Sequence, residues 1–233
     1  MIEYLKFTLP VFMVGAAAFL WANRRVGPAV RRSRWIKFAT YVVIVHAVLG
    51  ATVLGRGAVF VLMAAIVAVG SVEIAHAARR LEQRTRSAIL LAFAVIAAGA
   101  LWFAWCAGPP VVAYLYIVIA VFDGFSQAGG QLLGRTKLAP AISPGKTVEG
   151  SIIGAAASIA AAWLLRDHAG LAAPRATAFA AVMAAAGLVG DLAASWVKRR
   201  AGIKDYAAIL PGHGGVLDRF DSFLAACAAM AMF

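Results

Sequence analysis

The sequence predicts an all-α, polytopic integral membrane helical bundle of about eight transmembrane helices, on three observations. Of the 233 residues, 63% are hydrophobic and 14% charged, against roughly 25% charged in a soluble domain. Apolar runs of spanning length, about 20 residues, recur along the whole chain. The connections between them alternate between strongly basic and nearly neutral. This balance excludes an ordinary water-soluble enzyme. A single membrane domain over 1–233 is expected, in which 1–107 holds N-terminal helices of unassigned role and 110–233 the catalytic helices and cytoplasmic loops.

The first run, near 2–22, lacks a basic leader and is followed by Asn23-Arg24-Arg25, which reads as a retained span rather than a cleaved signal peptide. Further helices are expected near 35–55, 57–77, 87–107, 110–134, 148–165, 175–197 and, less completely, 216–233. Neither a linker-like stretch nor a fixed-period repeat interrupts them. Ala and Gly dominate the later helices, and the spacings Gly130/Gly134 and Gly150/Gly154 put small residues one turn apart. Such faces let membrane helices approach closely. Packing within the chain is the favoured use, and a homodimer remains open. Cys106 and Cys227 lie in apolar runs without metal or redox spacing and read as small core residues.

Lys/Arg bias sets orientation, because short basic loops stay in the cytoplasm. Eighteen of the 22 basic residues fall on the first, third, fifth and seventh connections or at Arg219. Lys6, Arg56, Arg166 and Arg175 are left for the opposite side. With eight helices both termini face away from the cytoplasm, and any active site on the basic loops faces the cytoplasm. A nucleic-acid binder is disfavoured, since the basic residues track alternate loops instead of forming one face.

Seven of the ten acidic residues fall at or after position 123, and Asp123, Glu149, Asp191, Asp218 and Asp221 sit within or at the ends of apolar runs. A carboxylate there is costly unless paired, hydrated or holding a cation. In the first half, Glu73 and His76 are three apart on one helix and are expected to form a satisfied polar pair. Ser143-Pro144-Gly145-Lys146-Thr147 ends like a phosphate-binding P-loop, but Pro140 stands where that motif needs Gly. What remains is a turn that delivers Lys146 and Thr147 to a helix start, where free N–H groups favour an anion. A plain helix start fits the spacing equally well.

The densest constellation runs from Gly190-Asp191 through Ser195-Trp196-Val197-Lys198-Arg199-Arg200 and Lys204-Asp205 to Pro211-Gly212-His213-Gly214-Gly215-Val216-Leu217-Asp218-Arg219-Phe220-Asp221. Asp218 and Asp221 share a face if the last helix begins near Val216. With Asp191 they could offer hard oxygens to Mg2+, whose shell water and substrate phosphates complete. Lys198, Arg199, Lys204 and Arg219 would balance a polyphosphate, and the Gly-rich turn around His213 would let backbone N–H groups approach it.

From Ser195 to Asp221 the sequence resembles the signature of the CDP-diacylglycerol synthases (phosphatidate cytidylyltransferases) at every specified position. Asp123, Gly134-Arg135, Leu138-Ala139-Pro140, Ser143-Pro144-Gly145-Lys146-Thr147 and Glu149-Gly150 are similar to the family's upstream pieces. The likeness covers roughly residues 118–225. It departs at Gly124-Phe125-Ser126-Gln127 and at Val148, where the family commonly has Trp. The resemblance implies condensation of CTP with phosphatidic acid to CDP-diacylglycerol and pyrophosphate, with Mg2+ and a monovalent cation such as K+, in a bacterial cytoplasmic membrane.

Together, the residues and the resemblance give catalytic roles to Asp191, Asp218, Lys198 and Lys204. Asp191, Asp218 and Asp221 are the expected metal ligands. Substrate contacts are expected from Asp123, Lys146, Thr147, Ser195, Arg199, His213, Gly214, Gly215 and Arg219. A CTP-dependent lipid kinase would release CDP instead of pyrophosphate, and a transporter would turn over no CTP. The CDP-alcohol phosphotransferases need an Asp-Gly-x-x-Ala-Arg run, which this sequence lacks.

Overall fold

The computed structural model describes residues 27–233 and, ahead of them, residues 8–10, 12, 13, 16, 17, 20 and 24. Most of the first expected helix, 2–22, therefore lies outside the described residues. The next run forms helix α1, Pro28–Leu54, opened by a proline in its first turn and closed at Gly55, whose φ of 108° stops the helix. Helices α2 (Arg56–Ala78), α3 (Gln83–Cys106) and α4 (Pro109–Leu133) follow through short connections. Two prolines again start α4, where the missing N–H groups would have had no helical partner.

A small antiparallel hairpin then intervenes, β1 (Lys137–Ala139) paired with β2 (Ser143–Thr147) through Lys137 opposite Thr147 and Ala139 opposite Ser143. The sequence reading had only a turn here. Helix α5 (Val148–Leu165) runs into a 3-10 turn over Arg166–Ala169, followed by α6 (Ala173–Arg200) and α7 (Leu217–Met230).

Among the described residues six helices, α1 to α6, are long and apolar enough to cross a membrane. The eighth expected run is shorter than a span. α7 has 14 residues, which is roughly 21 Å of helix against a hydrocarbon core of about 30 Å. It carries Asp218, Asp221 and Ser222 on its first turns and buries most of its length among other helices. The chain is an all-α polytopic membrane bundle with one short helix packed inside it.

α4 is the central helix, buried from Val112 to Ile119 and in contact with α1, α5, α6 and α7. Large apolar side chains such as Leu54, Val72, Leu91, Leu132 and Leu164 point outward. In water that surface would aggregate; in lipid it is the natural exterior. The small residues sit between helices. Gly129 and Gly130 on α4 face Ile153 and Gly150 on α5, and Gly154 faces Phe122 and Ser126, so closely that a Cβ on Gly130 would lie 2.9 Å from Thr147 Oγ1. Gly130 and Gly150 meet each other, while Gly134 packs on Thr147 and Gly154 on Ser126, so both spacings serve packing within the chain.

The basic connections converge on one end of the bundle. Lys37 of α1 packs against Gly212, Glu73 of α2 reaches Val216 and Leu217, and Arg199 of α6 donates to the carbonyl of Ile142 in the hairpin. At the other end, Phe60 and Trp105 pack edge to face at 5.4 Å.

Candidate active site

Two separate carboxylate centres form at the converging end. In the first, Asp191 of α6 accepts a hydrogen bond from Ser195 Oγ one turn on at 3.2 Å, and its Oδ2 lies 2.5 Å from Lys146 Nζ. Both side chains of the pair keep about a quarter of their surface open, 21% for Lys146 and 27% for Asp191. Asp221 stands beside them because Gly190, without a Cβ, lets α7 close against α6 at the Asp221 carbonyl. Asp123 of α4 completes the group. The charges of Asp123, Asp191 and Asp221 repel one another, with Lys146 and Arg219 opposing that repulsion around Asp123. Tyr41 of α1 lies close enough to feel both Asp123 and Arg219.

The second centre is Asp218, which the fold turns inward. Its Oδ1 accepts from Lys198 Nζ at 2.7 Å, and its Oδ2 from the amides of Tyr206 at 2.8 Å and Gly215 at 2.9 Å. The Asp218 side chain is fully enclosed and that of Lys198 is 10% exposed. Tyr206 closes over them, its ring 5.3 Å from Lys198 Nζ and its hydroxyl donating to the carbonyl of Ala194. Asp191 and Asp218 are thus held in different networks, and Lys198 faces a carboxylate rather than an open pocket.

The His-Gly-Gly turn is shaped by Gly212 and Gly214, whose φ values of 74° and 84° are left-handed and favour glycine. Its amides are largely used inside the protein. His213 N–H donates to Leu210, Gly215 N–H to Asp218, and the N–H groups of Val216 and Leu217 to Glu73. His213 is half-buried; burial holds its imidazole below the usual pKa, Arg219 and Lys37 push the same way, and the Pro211 carbonyl opposes them. Arg219 is exposed beside it, and Lys204 is also exposed.

The start of α5 is likewise an internally satisfied helix start. Thr147 Oγ1 accepts from Gly150 N–H at 3.1 Å, Val148 N–H donates to the Thr136 carbonyl, and Glu149 accepts from the amides of Arg135 and Thr136. Thr147 is 4% exposed. Arg199, besides holding Ile142, reaches the Ile203 carbonyl and braces the hairpin against the end of α6.

Among the described residues no three His, Cys, Asp or Glu side chains stand together as a metal cage. Mg2+ needs only one or two protein carboxylates, with water and substrate phosphates for the rest. Asp191 and Asp221, hard oxygen donors whose negative charge Lys146 and Lys198 offset, fit that requirement. Asp218, the third expected ligand, already accepts from Lys198 on Oδ1 and from two amides on Oδ2, so a cation at Oδ1 would compete with Lys198.

Glu73, Lys37, Thr40 and Tyr206 belong to this end and were not among the expected site residues. Glu73 does not pair with His76 as expected; its carboxylate crosses to α7. Its position inside an apolar run was the available signal. Thr40 Oγ1 lies 3.2 Å from the carbonyl of Pro211, and nothing in its local sequence marks that contact.

A model of the cytidylyltransferase family matches residues 29–233. The chain is similar to the phosphatidate cytidylyltransferase of Brucella abortus biovar 1 (strain 9-941), 42% identical over 129 residues, covering 54% of this chain and 47% of that protein. That of Helicobacter pylori (strain ATCC 700392 / 26695) is 41% identical over 118 residues, 50% of this chain and 44% of the relative. That of Staphylococcus saprophyticus is 36% identical over 126 residues, 48% and 44%. The chain spans about half the length of the curated relatives it matches.

Proposed function

This chain belongs to the cytidylyltransferase family, and from that premise we propose that it is a nucleotidyltransferase of phospholipid biosynthesis that condenses CTP with phosphatidic acid. The products are CDP-diacylglycerol and pyrophosphate. The observation that carries the reading is the Lys146–Asp191 pair beside Asp123 and Asp221, a partly open charged centre at the end of a membrane bundle. A lipid phosphate can reach it from the bilayer and a nucleotide from the water.

In this reading an oxygen of the lipid phosphate forms a bond to the α-phosphorus of CTP. The bond from that phosphorus to the oxygen bridging the β-phosphate breaks, and its electron pair leaves with pyrophosphate. A phosphate monoester with a second pKa of about 6 is already largely dianionic at neutral pH, so the attacking oxygen needs no general base. The chain's task is to hold two anions in line. Arg219, exposed beside His213, and the exposed Lys204 suit the triphosphate, while Lys146 suits the lipid phosphate, with Asp123 lining the same site. Ser195 fixes the rotamer of Asp191, and Arg199 holds the hairpin that carries Lys146.

Asp191 and Asp221 would hold Mg2+, and the same carboxylates are the candidates for a monovalent cation such as K+. Mg2+ supplies charge neutralisation on the departing pyrophosphate. The site is proposed to face the cytoplasm of a bacterial cell, because the connections that meet there carry most of the basic residues.

The test is to incubate purified, reconstituted protein with labelled CTP and phosphatidic acid and to identify the products. Label in a CDP-lipid together with pyrophosphate supports the proposal. Release of CDP with a phosphorylated lipid, or no turnover of CTP, would overturn it.

A further inference from the structure

Three consecutive amides at the start of α7 are each held by a buried carboxylate, and two of them by a residue from the other half of the chain. Glu73 Oε1 accepts from Val216 N–H at 2.9 Å and Oε2 from Leu217 N–H at 2.7 Å, across 143 and 144 positions of sequence. Asp218 takes the third, from Gly215. The first N–H groups of a helix lack helical partners, and a carboxylate placed there is favoured by the helix dipole. Glu73 is 4% exposed, so its charge is tolerated only because these donors meet it.

The neighbouring residues are cut to fit this contact. A Cβ on Gly215 would lie 2.5 Å from Glu73 Oε1, and Gly70, one turn earlier on α2, lies against the Leu217 side chain, which a Cβ there would meet at an ordinary 3.5 Å. α2 is therefore seated against the first turn of α7 at two glycines with Glu73 between them. That turn carries Asp218, Arg219 and Asp221. We infer that Glu73 is a positioning residue for the nucleotide side of the site, fixing the start of α7 so that Arg219 and Asp221 keep their place against α6. The inference rests on the cytidylyltransferase reading above, and it gives the N-terminal helices a part in the reaction.

Glu73→Gln retains one acceptor and the volume of the side chain, whereas Glu73→Ala retains neither. The purified full chain is read out by amide hydrogen exchange over 213–218 and by separate KM values for CTP and for phosphatidic acid. Loss of a charged acceptor should speed exchange at Val216 and Leu217 by about tenfold or more. Glu73→Gln should raise the KM for CTP about fivefold or more while the KM for the lipid stays within about twofold, a split that general loss of folded protein would not produce. Glu73→Gln should lie nearer the parent than Glu73→Ala. Gly215→Ala should be harmful alone and much less so combined with Glu73→Ala, because the atom it strikes has gone.

An active parent whose Glu73→Gln form keeps parental exchange or both parental KM values overturns this inference and leaves the proposed function standing. So does a uniform fall in kcat with both KM values unchanged. A parent that makes no CDP-lipid overturns the proposed function itself, and the catalytic part of this inference with it.

Discussion

Lys146 Nζ and Asp191 Oδ2 lie 2.5 Å apart, so the cation delivered by the hairpin is already paired with a carboxylate of α6 before any substrate arrives. In the proposed reaction, a phosphate bound at Lys146 would have to compete with Asp191 for the lysine. With 21% and 27% of the two side chains exposed, the pair is open to solvent.

Replacing Lys146 with Ala should raise the KM for at least one substrate about tenfold, the scale of a lost charge-assisted contact. Steady-state kinetics with each substrate varied in turn checks this. An unchanged dependence on both CTP and lipid removes Lys146 from the site.

Asp191→Asn should reduce CTP- and Mg2+-dependent pyrophosphate release by about 100-fold or more, the usual scale for losing a charge-stabilising group. The protein should still insert into membranes, since the Ser195 contact needs only an oxygen acceptor. Normal turnover at saturating Mg2+ would refute the metal role.

Lys198→Ala should destabilise the protein by about 3–5 kcal/mol, because it leaves the enclosed Asp218 carboxylate without its cation. Asp218→Asn should do comparable harm by stranding Lys198. Thermal unfolding in detergent measures both; a parental melting temperature with lost activity would instead place Lys198 in the chemistry.

Gly214→Ala combines a strained backbone at φ 84° with a Cβ only 2.8 Å from Asp218 Oδ2. A cost of about 1–3 kcal/mol is expected from the backbone alone, with loss of activity as Asp218 moves. Gly145→Ala, which meets nothing within 4 Å, serves as the control and should keep parental stability.

His213 binds a proton more weakly in the folded chain than in the unfolded one. Between the unfolded pKa of about 6.5 and the lower folded value, the unfolded chain therefore takes up more protons, and stability falls as pH drops through that window. His213→Asn should flatten this acid limb in a denaturation series from pH 7 to 5. It should leave the limb of kcat near neutral pH in place, since the imidazole is neutral there and the attacking phosphate needs no base.

The helices of the bundle were legible because hydropathy is a local property that accumulates over one segment. Proline at the starts of α1 and α4 and glycine after α1 mark their ends in the same local way. The hairpin before α5 was not legible: three- and five-residue strands are too short for an alternation signal, and Pro144 and Gly145 read as a turn. α7 was overestimated because Ala and Met extend its apolar run while its acidic first turn sets it inside the bundle. At the site, Asp191 and Lys146 were recognisable as candidates, but Ser195 as a rotamer brace and Thr147 as a helix cap emerge only from their partners.

By itself the sequence determined a basic membrane bundle whose charged loops share one end, together with the set of carboxylates and cations available there. Tertiary structure decided which of them belong together. Asp218 and Lys198 neutralise each other in the interior, Asp191 pairs with Lys146, and Glu73 holds the start of a helix 143 residues away. Composition and periodicity report what each segment can bury. Pairing at hydrogen-bond distance depends on how closely helices approach, and here glycines at 190, 214 and 215, read together with the side chains facing them, control that approach.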